Sequence, residues 1–360
     1  MIRRTFGIIG CQHAHIGIFI REMQQLGHRF AGIYEPEPAT LARRLAGEFG
    51  VPLLPDREAL LGEDVSVIGC AAVNADKIGV IEWCELHGKH VMLDKPAVTD
   101  REGLDRLRAA IGRGRIEIGM LLTERFRSSL LAAKRLIEEG ALGEIVHIGM
   151  RKPHLLNAPE RPAWHFDKKR SGGIIVDLLI HDFDLLRWLT GREIASVEGF
   201  MARESRSPHP GFYDAAGVQA VMDGGTTAQL YADWHTPRSS WTWGDGRLFV
   251  TGTRGTLELR LEGDPLLGGG EALLLTTDRE PLRRVADPVP ASLITADFLS
   301  RLDGGPYELS HADLLAASEA AIAADERAVR IDRAVGIDGA ASERQAECDR
   351  TNSVIEIERM

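Results

Sequence analysis

Between Ser171 and Gly191 the chain reads SGGIIVDLLIHDFDLLRWLTG, an apolar run that carries Asp177, His181, Asp184 and Trp188 at spacings of four, three and four. On an α-helix, where each residue turns by about 100°, these four side chains share one face. An Asp four residues before a His can hold the ring in one tautomer, raise its pKa and leave the other ring nitrogen to exchange a proton with a substrate. The same spacing also suits a purely structural Asp-His hydrogen bond. A second residue able to do chemistry is Lys95, in the triplet Asp94-Lys95-Pro96. Pro96 restricts Lys95 to an extended backbone and ends the preceding strand, which places the lysine at the carboxyl edge of a sheet. An ammonium there can donate to a hydroxyl or carbonyl, stabilise developing negative charge, or act as a base if desolvation lowers its pKa.

The elements that must position these groups alternate in type. Strand patterns at 6–10, 28–34, 65–71, 90–93 and 116–121 are separated by helical patterns at 16–26, 38–50, 77–87 and 101–111. This alternation predicts an α/β fold, with a Rossmann-type doubly wound parallel sheet in residues 1–122 and a ligand across the carboxyl ends of its strands. In a dinucleotide-binding turn of the form G-x-G-x-x-G, glycines let the backbone approach a pyrophosphate at a helix N-terminus. Here the turn is Gly10-Cys11-Gln12-His13-Ala14-His15, which keeps only the first glycine. Glu35, at the end of the second strand, suits ribose hydroxyls and repels a 2′-phosphate, so NAD is the expected cofactor. His13 and His15 share a loop with no carboxylate at ligand spacing, and no metal is expected there.

From residue 123 the pattern changes. A helix over 127–139, a strand over 144–150 and a polar, aromatic loop over 151–170 lead to the apolar run; His154, Arg161, Trp164 and His165 of that loop are the candidate substrate contacts. Short alternating segments then read as a mostly antiparallel sheet, and helices at 291–302 and 311–329 follow, so residues 123–330 form a C-terminal α+β domain whose late helices could pack back on the first. The polar tail 331–360 is expected to be loosely held. The chain has 360 residues, 44% of them hydrophobic and 27% charged, and a formal net charge of -10. Without a basic run this argues against nucleic acid, and no apolar stretch approaches the length of a membrane span. Cys11, Cys70, Cys84 and Cys348 have no CxxC spacing, so neither a disulfide framework nor a zinc site is expected. The N-terminal apolar patch is too short for a signal peptide, and the expected compartment is the cytoplasm.

Taken in order, FGIIGC, the segment 70–74 leading to GKHVMLDKP, GGIIVDLLIHDFDLLRWLTG and FVTGTRGTLEL resemble the glucose-fructose oxidoreductase and inositol dehydrogenase (Gfo/Idh/MocA) family over residues 5–330. The resemblance implies hydride transfer between a nicotinamide dinucleotide and a secondary alcohol of a sugar, cyclitol or related polyol. It implies Lys95, Asp177 and His181 as catalytic residues. It also implies cofactor contacts from Gly10, Gln12, His13, Ala14, Glu35, Ala72, Asn74 and Lys95, and assembly as a homodimer or homotetramer. Two departures stand out: Asp94 replaces the family's usual Glu before the lysine, and Gln12 replaces the second glycine. Two alternatives remain on the same scaffold, a non-catalytic NAD-binding regulatory protein and an NAD-using glycosidase or lyase.

Overall fold

The computed structural model of the chain describes residues 2–332 apart from 39, 63, 204–208, 210, 267 and 286–290. Its first unit alternates β1 (Thr5–Cys11), α1 (Ile16–Gln25), β2 (Arg29–Tyr34), α2 (Thr40–Phe49), β3 (Val65–Ala71), α3 (Lys77–Leu86), β4 (His90–Leu93), α4 (Arg101–Arg113) and β5 (Ile118–Met120). The five strands are parallel, in the order β2-β1-β3-β4-β5. β1 is buried along its whole length and the last six residues of β3 are apolar or small, as expected of strands covered by helices on both faces. The order reverses between β1 and β3, so the crevice of this sheet opens above that pair.

The second unit begins with α5 (Ser128–Glu138) and β6 (Ile145–Pro153), followed by α6 (Lys168–Ser171), α7 (Gly173–Leu178) and α8 (Ile180–Thr190). Then come β7 (Ile194–Arg203), β8 (Ala215–Met222), β9 (Thr227–Asp233), β10 (Arg247–Gly252) and β11 (Gly255–Arg260). The chain continues through β12 (Gly263–Asp264), β13 (Gly268–Gly269), β14 (Ala272–Thr277), β15 (Arg283–Arg284), α9 (Ile294–Leu302), α10 (His311–Arg327) and β16 (Val329–Asp332). Nine of these strands form one sheet, ordered β15-β14-β11-β10-β6-β9-β8-β7-β16. It is antiparallel except where β6 meets β9 and where β16 meets β7. Helices α5, α7, α8 and α10 cover one face, while Phe200, Val221 and Phe249 stand exposed.

Two expectations need correction. The apolar run over 171–191 is not one continuous helix. Gly172 and Gly173 have φ of 90° and 80°, left-handed values that glycine adopts without penalty, and they separate α6 from α7. The run breaks again at Leu179. The Asp177 carbonyl, which an unbroken helix would turn to residue 181, instead accepts from Lys95 Nζ at 2.6 Å. The end of the last expected helix and the start of the tail are also different: residues 329–332 add a strand beside β7. The remainder of the tail lies outside the described residues.

The late helices return to the first sheet. Arg301 Nη2 donates to the Ile118 carbonyl at 2.7 Å, and Ile118 N–H donates to His311 Nε2 at 3.1 Å, so both backbone groups of Ile118 on the edge of β5 are met by α9 and α10. Thr295 N–H donates to Glu22 of α1 at 2.9 Å.

Candidate active site

Gly10, the last residue but one of β1, has φ of 79°, and a Cβ there would lie 2.4 Å from the backbone of Ala72. Only glycine lets β1 and the end of β3 approach this closely. The chain then turns into α1 through Gln12, whose N–H donates to the Ala71 carbonyl at 2.7 Å. The Gln12 side chain is half-buried. Its Oε1 accepts from Trp164 Nε1 at 3.2 Å, which ties the turn to the loop before α6. Its Nε2 is buried without a partner. Glu35, expected to meet ribose hydroxyls, accepts from the N–H of Cys11 and, at 2.8 Å, from the N–H of Glu37.

Lys95 stands at the end of β4, and Lys77, fully buried in the first turn of α3, fixes that end. Lys77 Nζ donates to the carbonyls of Asp94, Lys95 and Pro96 at 2.8, 3.2 and 3.1 Å. A lysine at a helix N-terminus opposes the macrodipole. That misplaced charge was the signal by which the sequence could have revealed it. Lys95 Nζ in turn donates to Asp177 Oδ1 at 2.7 Å as well as to the Asp177 carbonyl. Burial alone would raise the Asp177 pKa, but Lys95 and the neighbouring His165 outweigh it and hold the carboxyl below its usual range. Asp177 is thus the partner of Lys95, 82 residues away, and not of His181.

His181 has Nδ1 buried without a hydrogen-bond partner. Burial, with Lys152 and Lys95 near by, pushes its pKa well below the ordinary value despite the opposing charge of Glu124. The imidazole is therefore neutral, contrary to the expectation that Asp177 would raise its pKa. Behind it Lys152 Nζ donates to Glu124 at 2.5 Å and lies 3.4 Å from Asp182. These three residues, absent from the sequence-based set, form a buried ionic cluster; burial lifts Asp182 to about 7, while Lys152 and His181 overcome burial at Glu124 and bring it down to about 2. Asp184 and Trp188 serve elsewhere. Asp184 pairs through both oxygens with buried Arg125, whose guanidinium also lies 5.8 Å from the Trp188 ring.

A cleft of about 630 Å³ runs between the two units. Gln12, His13, Ala14, Lys95 and Asp177 line it together with His154, Arg161, Trp234 and Trp243. A second cavity of about 330 Å³ shares Lys95 and His154 with it and reaches His181 and Lys152. Of the four expected substrate contacts, His154 and Arg161 line the cleft. Trp164 and His165 are buried beneath, and His165 packs edge-on to Trp234 at 5.2 Å. Burial lowers both His154 and His165 to about 4, so both rings are neutral. Asn74 is buried and donates to the Ser171 carbonyl at 2.9 Å, joining the β3 turn to α6, and Ala72 supports Gly10. Trp234 and Trp243 were not foreseen. The fold also supplies the carboxylate that the histidine loop lacked in sequence: Asp94 Oδ2 lies 2.8 Å from His13 Nδ1, and Oδ1 lies 3.3 Å from His15 Nδ1. The oxygen and nitrogen atoms of these three residues could surround a cation, although buried Lys77, 3.9 Å from Asp94, already offsets that charge.

A parallel sheet is joined to a sheet-and-helix unit that contributes a neutral histidine and a lysine-bound carboxylate near the crevice, and proteins similar to this chain are oxidoreductases. Residues 130–258 match the model of the GFO/IDH/MocA C-terminal domain. Over those residues the chain is similar to the Gfo/Idh/MocA family. It is 26% identical to an inositol 2-dehydrogenase of Rhizobium meliloti (strain 1021), over 64% of this chain and 67% of the relative. It is 28% identical to a UDP-N-acetylglucosamine 3-dehydrogenase of Acidithiobacillus ferrooxidans, over the same shares. Among solved structures, an oxidoreductase from Erwinia carotovora atroseptica SCRI1043 superposes with a TM-score of 0.84 at 25% identity, covering 91% of this chain and all of that one. A levoglucosan dehydrogenase solved with NADH shares the fold with a TM-score of 0.76 at 20% identity, over 91% and 97% of the two chains.

Proposed function

We propose that the protein oxidises a secondary alcohol of a sugar, cyclitol or related polyol with NAD, or runs the reverse reaction. The observation that carries this reading is that a lysine held by a half-buried carboxylate and a neutral histidine line one cavity between the two units. The position of the cleft supports a dinucleotide as its ligand. The turn 12–15 lies at the N-terminus of α1 above the switch point, Glu35 follows β2, and the Gln12 side chain is drawn aside to Trp164. Bound there, the nicotinamide supplies the hydride acceptor. The printed names of the relatives, inositol and sugar-nucleotide dehydrogenases, support the substrate class, and the NADH in the levoglucosan dehydrogenase structure supports the cofactor.

In this reading Lys95, held by Asp177, donates to the substrate oxygen and steadies charge developing there, and His181 takes the hydroxyl proton because burial keeps its ring uncharged and able to accept. Asp177 acts by positioning Lys95. The tryptophan faces of the cleft suit the apolar C–H face of a hydroxylated ring. The exposed apolar positions of the nine-stranded sheet are the surface through which a homodimer or homotetramer would form. The test is His181→Ala, assayed by NADH absorbance over a polyol panel and by calorimetry with NADH. Turnover should fall by about a hundredfold or more with NADH affinity unchanged; retained turnover removes His181 from the mechanism.

A further inference from the structure

The cations around the cleft fall into two kinds. Lys95 is held by Asp177, Lys152 by Glu124 and Asp182, and Arg127 by Glu271 and Glu262. Arg161 has no such partner among the described residues. Its Nε donates to the Leu156 carbonyl at 2.9 Å, which fixes the plane of the guanidinium. Its Cζ lies 5.0 Å from the Trp234 ring and 5.6 Å from the Trp243 ring. Glu160 also lines the cleft but is exposed and makes no ion pair with it. The carboxylate whose charge acts on Arg161 is Asp177, which is already committed to Lys95. Arg44 lines the same cleft from α2.

A half-buried guanidinium costs desolvation, and here burial lowers its pKa. Two tryptophans and one carbonyl hold it in place but leave its two terminal nitrogens to the cleft. A guanidinium presents those nitrogens as a fork that matches the two oxygens of a carboxylate. Resting on the functional reading above, the geometry points to a substrate that is an acidic sugar, a polyol carrying a carboxylate that Arg161 grips while a C–H face of the molecule lies against Trp243. The carboxylate fixes which alcohol carbon faces Lys95 and His181. It is unchanged in the reaction: the carbinol C–H leaves as hydride to the nicotinamide, the O–H proton goes to His181, and the alcohol becomes a carbonyl.

The experiment titrates the full-length protein with sodium D-gluconate and D-glucuronate, and with D-glucitol and D-glucose as neutral counterparts. Tryptophan emission reports binding, because Trp234 and Trp243 flank the guanidinium, and NADH formation is followed with the same four compounds. The acids should bind about ten- to a hundredfold more tightly than their neutral counterparts. Arg161→Gln should abolish that preference with neutral binding and NADH affinity kept, and Arg161→Lys, which retains the charge without the fork, should restore part of it. Equal binding of acid and neutral compounds, no binding of either acid at millimolar concentration, or an acid preference surviving in R161Q overturns the inference. A loss of NADH affinity larger than the loss of acid binding also overturns it, since the guanidinium would then serve the cofactor. Oxidation of a neutral polyol as fast as its acid sinks this inference and leaves the functional reading standing. Arg161-dependent acid binding without NAD-linked turnover of any compound does the reverse.

Discussion

The Lys95–Asp177 pair can be tested without knowing the substrate. Both side chains are mostly withdrawn from water, at 5% and 16% exposure, so removing one leaves the other charge poorly solvated, at a cost of about 3–5 kcal/mol in comparable buried pairs. At 2.7 Å and an effective dielectric of about 20 the gross attraction is about 6 kcal/mol. Desolvation offsets much of this, leaving a net coupling of about 1.5–3 kcal/mol, the range of a hydrogen bond to a charged group. Lys95→Met, Asp177→Asn and the double variant, compared by denaturant unfolding at neutral pH, should show that coupling as non-additivity. The sign with pH is also determined. The Asp177 carboxyl lies below its ordinary 3.8 in the folded protein, so its contribution is present above about pH 4 and is lost as pH falls toward the folded value. In the Lys95→Met variant burial acts on Asp177 without its largest opposing charge and moves its pKa upward, a cost that grows as pH rises. The stability gap between wild type and Lys95→Met should therefore widen from about pH 4 toward pH 8. A coupling below about 0.5 kcal/mol, or a gap that narrows as pH rises, refutes the assignment of Asp177 as the group that holds Lys95.

Two further outcomes follow from the same geometry. Gln12→Gly restores the second glycine of the turn but removes a side chain already directed to Trp164, so NADH affinity measured by calorimetry should change by less than about threefold; a tenfold gain would show that Gln12 obstructs the cofactor. Lys77→Met removes the donor shared by three carbonyls in the 94–96 turn, and it should destabilise the fold by about 3 kcal/mol or more in denaturant unfolding and lower turnover through displacement of Lys95.

Local patterns were readable wherever the chain interacts with its own neighbours. The five parallel strands, their intervening helices and most segments of the second sheet follow from apolar runs and turn residues, and Gly10 from its place near the end of β1, whereas β14 and β15 were not foreseen. Partnerships set by tertiary contact were not readable. Asp177 and His181 have helical spacing, yet Asp177 turns to Lys95 at the end of the first sheet, and that choice depends on the break at Leu179 and on the reach of a side chain 82 residues distant. Likewise Gln12 reads as an obstruction until Trp164, 152 residues on, accounts for it. Lys152, Glu124 and Asp182 have no common local pattern, because three separate segments bring them together. Residues 329–332 read as a helix end and the start of a tail because a four-residue strand gains its stability from the neighbour it pairs with rather than from its own sequence.

The backbone contacts on β5 bear on how this protein is made. The last strand of the first sheet emerges early in synthesis, but the groups that meet its exposed edge, Arg301 and His311, belong to α9 and α10 near the other end of the described chain. A nascent chain halted after residue 122 would present that edge, and the apolar surface that Phe298 later covers beside Gly119, to any strand it met. The first sheet is therefore closed only after the second has been made, and a ribosome must deliver the chain through His311 before that edge is shut to strangers.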